Sequence, residues 1–272
     1  MTAIAGPGPG AGTSARPRRP RTAWKVWTWV AIVAGLTALA GWAVEFTLAP
    51  SIRNVDYWFK TILAFITPNW SYFPRIVEPL WVTFSISLVA AAFTAFFAII
   101  VAMLASRVTM RAAWFYRLTK GVLAVWRSLP DVVWAMLFVA MVGSGPFAGT
   151  LAMTFFGFGI VVKLTAETID AVDRGPLEAV DAAGGTAFQR ARVAVVPAIL
   201  PNFASYALYN FESTVRASVV LGYVGAGGVG TALAVQSKEG NYENVAMIVL
   251  ATLVLVIAID ALSWLLRRWL SR

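Results

Sequence analysis

The stretch GYVGAGGVG, residues 222–230, places Gly225, Gly227 and Gly230 in the order G-x-G-x-x-G, with Gly228 inside the motif. Glycines so spaced can bring a backbone against a pyrophosphate at a helix N-terminus, and Glu243 lies downstream where a ribose contact could come from. A second group is Glu212 and Arg216, four residues apart and therefore on one face of a helix. Their guanidinium suits a phosphonate or phosphate oxyanion, with the carboxylate keeping it from being held too tightly. Equally, the two charges neutralise each other and hold a bundle interface. Ser205, Tyr209, Asn210, Ser213, Thr214 and Ser218 surround them. A third candidate is Asp131, which follows Ser128-Leu129-Pro130; it reads as a helix start capped by Ser128, or as a gate carboxylate. Lys163 and Glu167 can pair at four residues' separation, and Asp260 can pair with Arg267, Arg268 or a loop arginine. The chain has no cysteine and no histidine. That excludes disulfides, thiolate chemistry and the usual zinc sites, and it removes the commonest general base.

The elements that must position these groups are membrane helices. Of the 272 residues 59% are hydrophobic and 13% charged, where a soluble domain carries about a quarter charged residues. Residues 1–23, rich in Gly, Pro, Ala and Arg, cannot bury a core and read as a disordered tail. Six apolar stretches come after it, at 24–48, 80–105, 121–142, 147–166, 198–222 and 245–266. Each approaches or exceeds the ~20 residues needed to cross ~30 Å of hydrocarbon, where only a helix satisfies its own backbone. The first resembles a cleavable signal peptide through Ala38-Leu39-Ala40, but its apolar run continues past the length of such a region. In this setting a net charge of +9 raises the question of which loops carry it, before any question of nucleic acid. Sixteen Lys and Arg fall on one side of the six spans and four on the other, which predicts a plasma-membrane protein with both termini cytoplasmic. The glycine segment then faces outward. A dinucleotide fold would need a parallel sheet with helices on both faces, which a set of membrane helices does not offer. The aromatic-rich YWFKTILAFI segment near residue 60 reads as a helix in the outer interface, a lipid anchor or a landing surface for another protein.

The inner loop at 173–197 is the most specific feature. Pro176 suits a first helical turn, Leu177, Val180 and Ala183 form an apolar stripe, and Gly184-Gly185 ends that helix. Thr186 and Gln189 form a capping box for a second helix, and Pro197 and Pro201 are expected to break or kink the entry to the fifth span. Glu178-Ala179, then Gly184, then Pro197 resembles the EAA loop of binding-protein-dependent ABC importer permeases, E-A-A, three residues, G, nine residues, I-x-L-P. Val180 departs at the third position, and Ala194 and Val196 replace the I and L. The stretches at 127–152, 163–180, 209–230 and 259–268 resemble permeases of phosphonate ABC transporters, the PhnE family, over roughly residues 80–270.

This resemblance implies an all-α polytopic protein of the type I ABC importer, MetI-like, fold, with residues 24–272 as the permease domain. It implies a coupling helix, carried by Glu178, Ala179, Asp181, Gly184, Gly185 and Pro197, that docks in a cytoplasmic ATPase. ATP and Mg would be bound by that partner, because no G-x-x-x-x-G-K-[ST] occurs in this chain. Two copies of the chain, two ATPases and an extracytoplasmic solute-binding protein are the implied assembly, with no cofactor or metal here. The expected solute is phosphonate, phosphate or phosphite, passing Arg216, Glu212, Asn210, Ser213, Tyr209 and Asp131. Gly225, Gly227, Gly228 and Gly230 are expected to form a turn or gate at the outer mouth. A permease for another small solute, such as an amino acid, and a membrane-embedded reductase are the alternatives.

Overall fold

A computed structural model describes residues 23–47, 49–110 and 112–270. The expected tail therefore lies almost wholly outside the described residues. Every described element is helical, so no βαβ unit is available to the glycine motif. The chain divides into two compact units, residues 1–57 and 58–272.

The first unit contains α1 (Ala23–Ala43), apolar around its whole circumference, with Trp24, Trp27, Trp29 and Trp42 all exposed. Such a helix needs lipid or protein on every side. It stops at Ala43, short of the stretch expected to run to residue 48, because the Phe46 N–H folds back 2.8 Å to the Gly41 carbonyl and Glu45 adopts φ 50°. Next come α2 (Ala49–Arg53) and α3 (Val55–Ile66), the expected aromatic-rich helix, which buries none of its side chains.

In the second unit α4 (Phe73–Leu104) and α7 (Pro146–Asp170) form the most extensive helix pair. Ala90 of α4 shares a buried cluster with Ala148 and Ala152 of α7, Ala98 and Ala102 share another with Ala166, and the Thr94 hydroxyl donates to the Thr154 carbonyl at 3.1 Å; small residues at the seam let the backbones approach. Between them in sequence the expected third span is not one helix. It is α5 (Ala113–Ser128) and α6 (Asp131–Val142), bent by 86°. Pro130 has no N–H to continue α5, and it holds Leu129 extended at φ −80°, ψ 126°. The Trp126 indole N–H donates to the Phe155 carbonyl at 2.7 Å, which sets the break against the middle of α7. Among the described residues five helices are long and apolar enough to cross a membrane, and six if the bent pair counts as one span.

After α7 come α8 (Arg174–Ala182), α9 (Ala187–Arg190), one π-helical turn at Ala191–Val195, and α10 (Val196–Tyr223). Of the expected break or kink, no break occurs: the helix runs through Pro197 and Pro201, and the disturbance is the π-helical turn at its entry. Pro197 sits in the first turn of α10, and the wide turn just before it accommodates the ring and the missing donor. α11 (Val229–Lys238) and α12 (Tyr242–Leu270) complete the chain. One buried cluster, including Ala102, Val162, Ile169, Leu177, Val195 and Ile199, lies at the α8 end of the spans. A second, including Ile86, Phe138, Met153, Leu221 and Ala226, lies toward the glycine segment.

Candidate functional site

At one end of the spans the loop expected from sequence is built as read, with one addition. The Asp173 carboxylate, not singled out beforehand, caps α8 by accepting the Gly175 N–H at 3.1 Å. Leu177 is buried and Val180 packs against the same cluster, while Ala183 is exposed and does not join the stripe. Glu178, Ala179 and Asp181 therefore point outward. α8 ends in a Schellman turn: the Gly184 N–H bonds the Asp181 carbonyl at 3.0 Å and the Gly185 N–H bonds the Val180 carbonyl at 2.9 Å. Gly184 takes φ +75°, a conformation other residues rarely adopt. The Thr186–Gln189 capping box is present in both directions and restarts the helix. Next to it Phe188 stands fully on the surface. The loop thus offers a short helix with charged and apolar groups and its own rigid caps.

Halfway along the spans the charges pair differently from the expected i,i+4 ion pair. Arg216 Nη1 lies 3.2 Å from Asp260 Oδ1, across to α12, with both side chains 45% exposed. Glu212 instead bonds Arg267 and is 8% exposed. Asp260 accordingly takes its partner from α10, in place of the expected Arg267 or a loop arginine. The physical reason is that α10 and α12 are antiparallel neighbours: two cross-helix pairs satisfy all four charges and tie two spans together. A pair within α10 would satisfy two and contribute only a few tenths of a kcal/mol. Lys163 and Glu167 do pair along α7, at 3.7 Å.

The open face of α10 carries Tyr209, Ser213, Arg216, Val220 and Tyr223 at helical spacing, with Ser213 half-buried. Two residues grouped with them from sequence lie elsewhere. Asn210 is 2% exposed and packs against Gly157 of α7, with no partner on its Nδ2. Glu212 is turned toward Arg267. Asp131 stands at the break between α5 and α6, where its carboxylate accepts the Val132 N–H at 2.9 Å. Ser128 does not cap α6; its hydroxyl donates back to the Val125 carbonyl at 2.7 Å, because Pro130 occupies the capping position.

The glycine segment is a tight turn joining α10 to α11. Gly225, Gly227 and Gly228 take φ +94°, +85° and +73°, and Gly230 opens α11 with its backbone against Gly222, so close that a side chain on either would overlap the other. Thr83 of α4 accepts the buried Val229 N–H at 2.8 Å, and the Gly145 N–H bonds the Gly225 carbonyl at 2.9 Å. Ala226 and Val229 are buried, so the segment is packed between α4 and the α6–α7 turn instead of forming an open cradle for phosphate. Nothing in the sequence singled out Thr83.

Residues 97–272 match the family described as binding-protein-dependent transport system inner membrane component. The chain is 36% identical, over 90% of its own length and 90% of the relative's, to the phosphite transport system permease protein PtxC of Stutzerimonas stutzeri. It is 37% identical to the phosphate-import permease protein PhnE of Mycolicibacterium smegmatis, over 68% of this chain and 35% of that one. Among solved structures, the MetNI methionine ABC transporter in an inward-facing conformation is similar in fold, with a TM-score of 0.66 at 22% identity, covering 75% of this chain and all of that one. With a helical membrane bundle, a match to the family model over residues 97–272 and these relatives together, the chain belongs to the family of binding-protein-dependent inner-membrane transport components.

Proposed function

We propose that this chain is the membrane-spanning subunit of an ATP-driven importer for a phosphorus oxyanion: phosphonate, phosphate or phosphite. The observation that carries the anion reading is Arg216, a guanidinium half-exposed between α10 and α12. A charged pair at mid-span is costly against lipid, so this face belongs against a water-filled path or another protein. The names of the relatives, phosphite and phosphate permeases, support the same class of solute. Asp260, not Glu212, is then the group that balances the charge of Arg216 while the path is empty.

The rest of the assembly is inferred from the loop. α8 with Glu178, Ala179 and Asp181 seats in a cytoplasmic ATPase, which binds ATP and Mg. Two copies of this chain face each other across the path, and a solute-binding protein delivers the anion to the glycine end. The distribution of Lys and Arg supports cytoplasmic termini and a cytoplasmic loop. ATP binding closes the ATPase pair and the coupling helices rock the spans from inward-open to outward-open.

The test is uptake into proteoliposomes holding the chain with its ATPase and binding protein. Labelled phosphite, phosphate and methylphosphonate are offered against methionine. ATP-dependent uptake of a phosphorus anion is expected, with Arg216→Met abolishing uptake while ATP hydrolysis persists. Uptake of methionine alone, or full activity of Arg216→Met, overturns the reading. So does uphill uptake by this chain without the ATPase.

A further inference from the structure

The α8 loop is fastened to the rest of the bundle at both feet, and both fastenings meet on the same three residues. On the near side, Asp170 ends α7. Its Oδ1 accepts the Ser106 hydroxyl at 2.6 Å and the Arg107 N–H at 2.8 Å, and its Oδ2 lies 4.0 Å from Lys120 Nζ of α5. On the far side, Arg190 ends α9 and is 9% exposed. Its Nη1 donates to Asp181 Oδ2 of α8 at 3.2 Å, and its Nη2 donates to the Val108 carbonyl at 3.1 Å. Residues 106–108 form the turn between α4 and α5, held further by the Val108 N–H bonding the Ser106 hydroxyl at 3.1 Å. The two bonds leave from different nitrogens of a planar guanidinium, so they hold acceptors set apart, whereas an ammonium donates from a single atom on a flexible stem.

A rocking motion of α8 therefore does not have to travel only along the covalent chain into α7 and α10. It also reaches the 106–108 turn through Arg190, which holds both Asp181 of α8 and the Val108 carbonyl, while Asp170 ties the end of α7 to the same turn; from there it reaches α5. At its other end α5 packs on α7 through Leu123 and the Trp126–Phe155 bond and is jointed to α6 by the 86° bend at Leu129-Pro130, so a displacement of the turn is carried along α5 to that joint. α6 stays anchored by Trp134, Ala135 and Phe138 in the second buried cluster. We propose that Arg190 and Asp170 are positioning residues that make α8 and the α4–α5 turn one mechanical body and route the coupling stroke into α5. This rests on the reading of α8 as the docking helix for an ATPase.

The test uses the complete transporter and reads solute moved per ATP hydrolysed. Arg190→Lys keeps the charge beside Asp181 but cannot also hold the Val108 carbonyl. It is expected to leave ATP hydrolysis in place while transport per ATP falls by about fivefold or more. Asp170→Asn, on a residue outside the docking helix, removes the charge facing Lys120 and the Arg107 N–H and is expected to lower transport per ATP in the same way with ATP hydrolysis kept; a merely stabilising contact would leave that ratio unchanged. Normal transport per ATP in both variants overturns the proposal.

Because the chain has no cysteine, spin labels can be placed at Arg174→Cys and Arg117→Cys in an otherwise unaltered protein. Their separation is expected to stay within about 2 Å between nucleotide-free and ATP-bound states, while larger shifts appear elsewhere. A larger change in that distance overturns the proposal even if Arg190→Lys does not fold. Loss of ATP-dependent uptake in the unaltered transporter would instead sink the docking reading on which it rests.

Discussion

Gly228→Ala tests the packing of the glycine turn by two separable effects. Gly228 has φ +73° and ψ −158°, a region nearly closed to residues with a side chain, and occupying it costs about 1–3 kcal/mol. The new methyl also overlaps Thr83 Oγ1, the acceptor of the buried Val229 N–H at 2.8 Å. Pushing Thr83 aside leaves that donor unpaired, for a further ~1–3 kcal/mol. Together the loss is about 2–6 kcal/mol, a large part of a typical stability. Two controls separate the contributions. Gly143→Ala has φ +86° but open space around it, so it suffers only the backbone strain. Gly121→Ala lies within α5 with no neighbour within 4 Å, and is expected to be neutral or stabilising by up to ~1 kcal/mol. Thermal unfolding of the three variants in detergent, followed by size-exclusion of the fluorescently tagged protein, should give the order Gly121→Ala highest, then Gly143→Ala, then Gly228→Ala. If Gly228→Ala melts with Gly143→Ala, the contact with Thr83 does not carry the turn. If it melts with the unaltered protein, the assigned backbone is wrong.

Glu212→Gln leaves the one-third exposed Arg267 without its carboxylate, and a loss of about 1–3 kcal/mol is expected; Glu212→Leu with Arg267→Met should recover most of it in the same melting assay. Gly157→Ala overlaps the Asn210 side chain and should cost about 1–3 kcal/mol, relieved when Asn210→Ala is added; additive losses in that double-mutant cycle would contradict the contact. Thr186→Ala removes half of the capping box and should cost about 1 kcal/mol, seen as faster amide exchange confined to α9 and the π-helical turn. Unchanged exchange there would show that tertiary packing alone holds the segment.

Much of the architecture was legible in the chain because membrane helices advertise themselves: the backbone must bond internally, so length and apolarity are nearly sufficient. The α8 loop was legible for a related reason. Pro176, Gly184, Thr186 and Gln189 act through bonds a few residues long, and local chemistry of that range survives into the tertiary structure. The glycine run was legible as a turn, since positive φ is a property of single residues, but its clasp by Thr83 was not.

The chain alone determined the number of apolar spans, the loop between the fourth and fifth, and its caps. Only the folded bundle decided the partner of each charge: Arg216 with Asp260, Glu212 with Arg267, and Asp170 and Arg190 with the α4–α5 turn. It also decided that the third span bends by 86° at a proline that composition alone passes over. The physical reason is range. Hydrophobic length and capping are read within one turn or one span, whereas an ion pair depends on how two distant helices are rotated and set in depth. That alignment comes from small residues along α4, α7 and α10 whose packing leaves no periodic signature of its own.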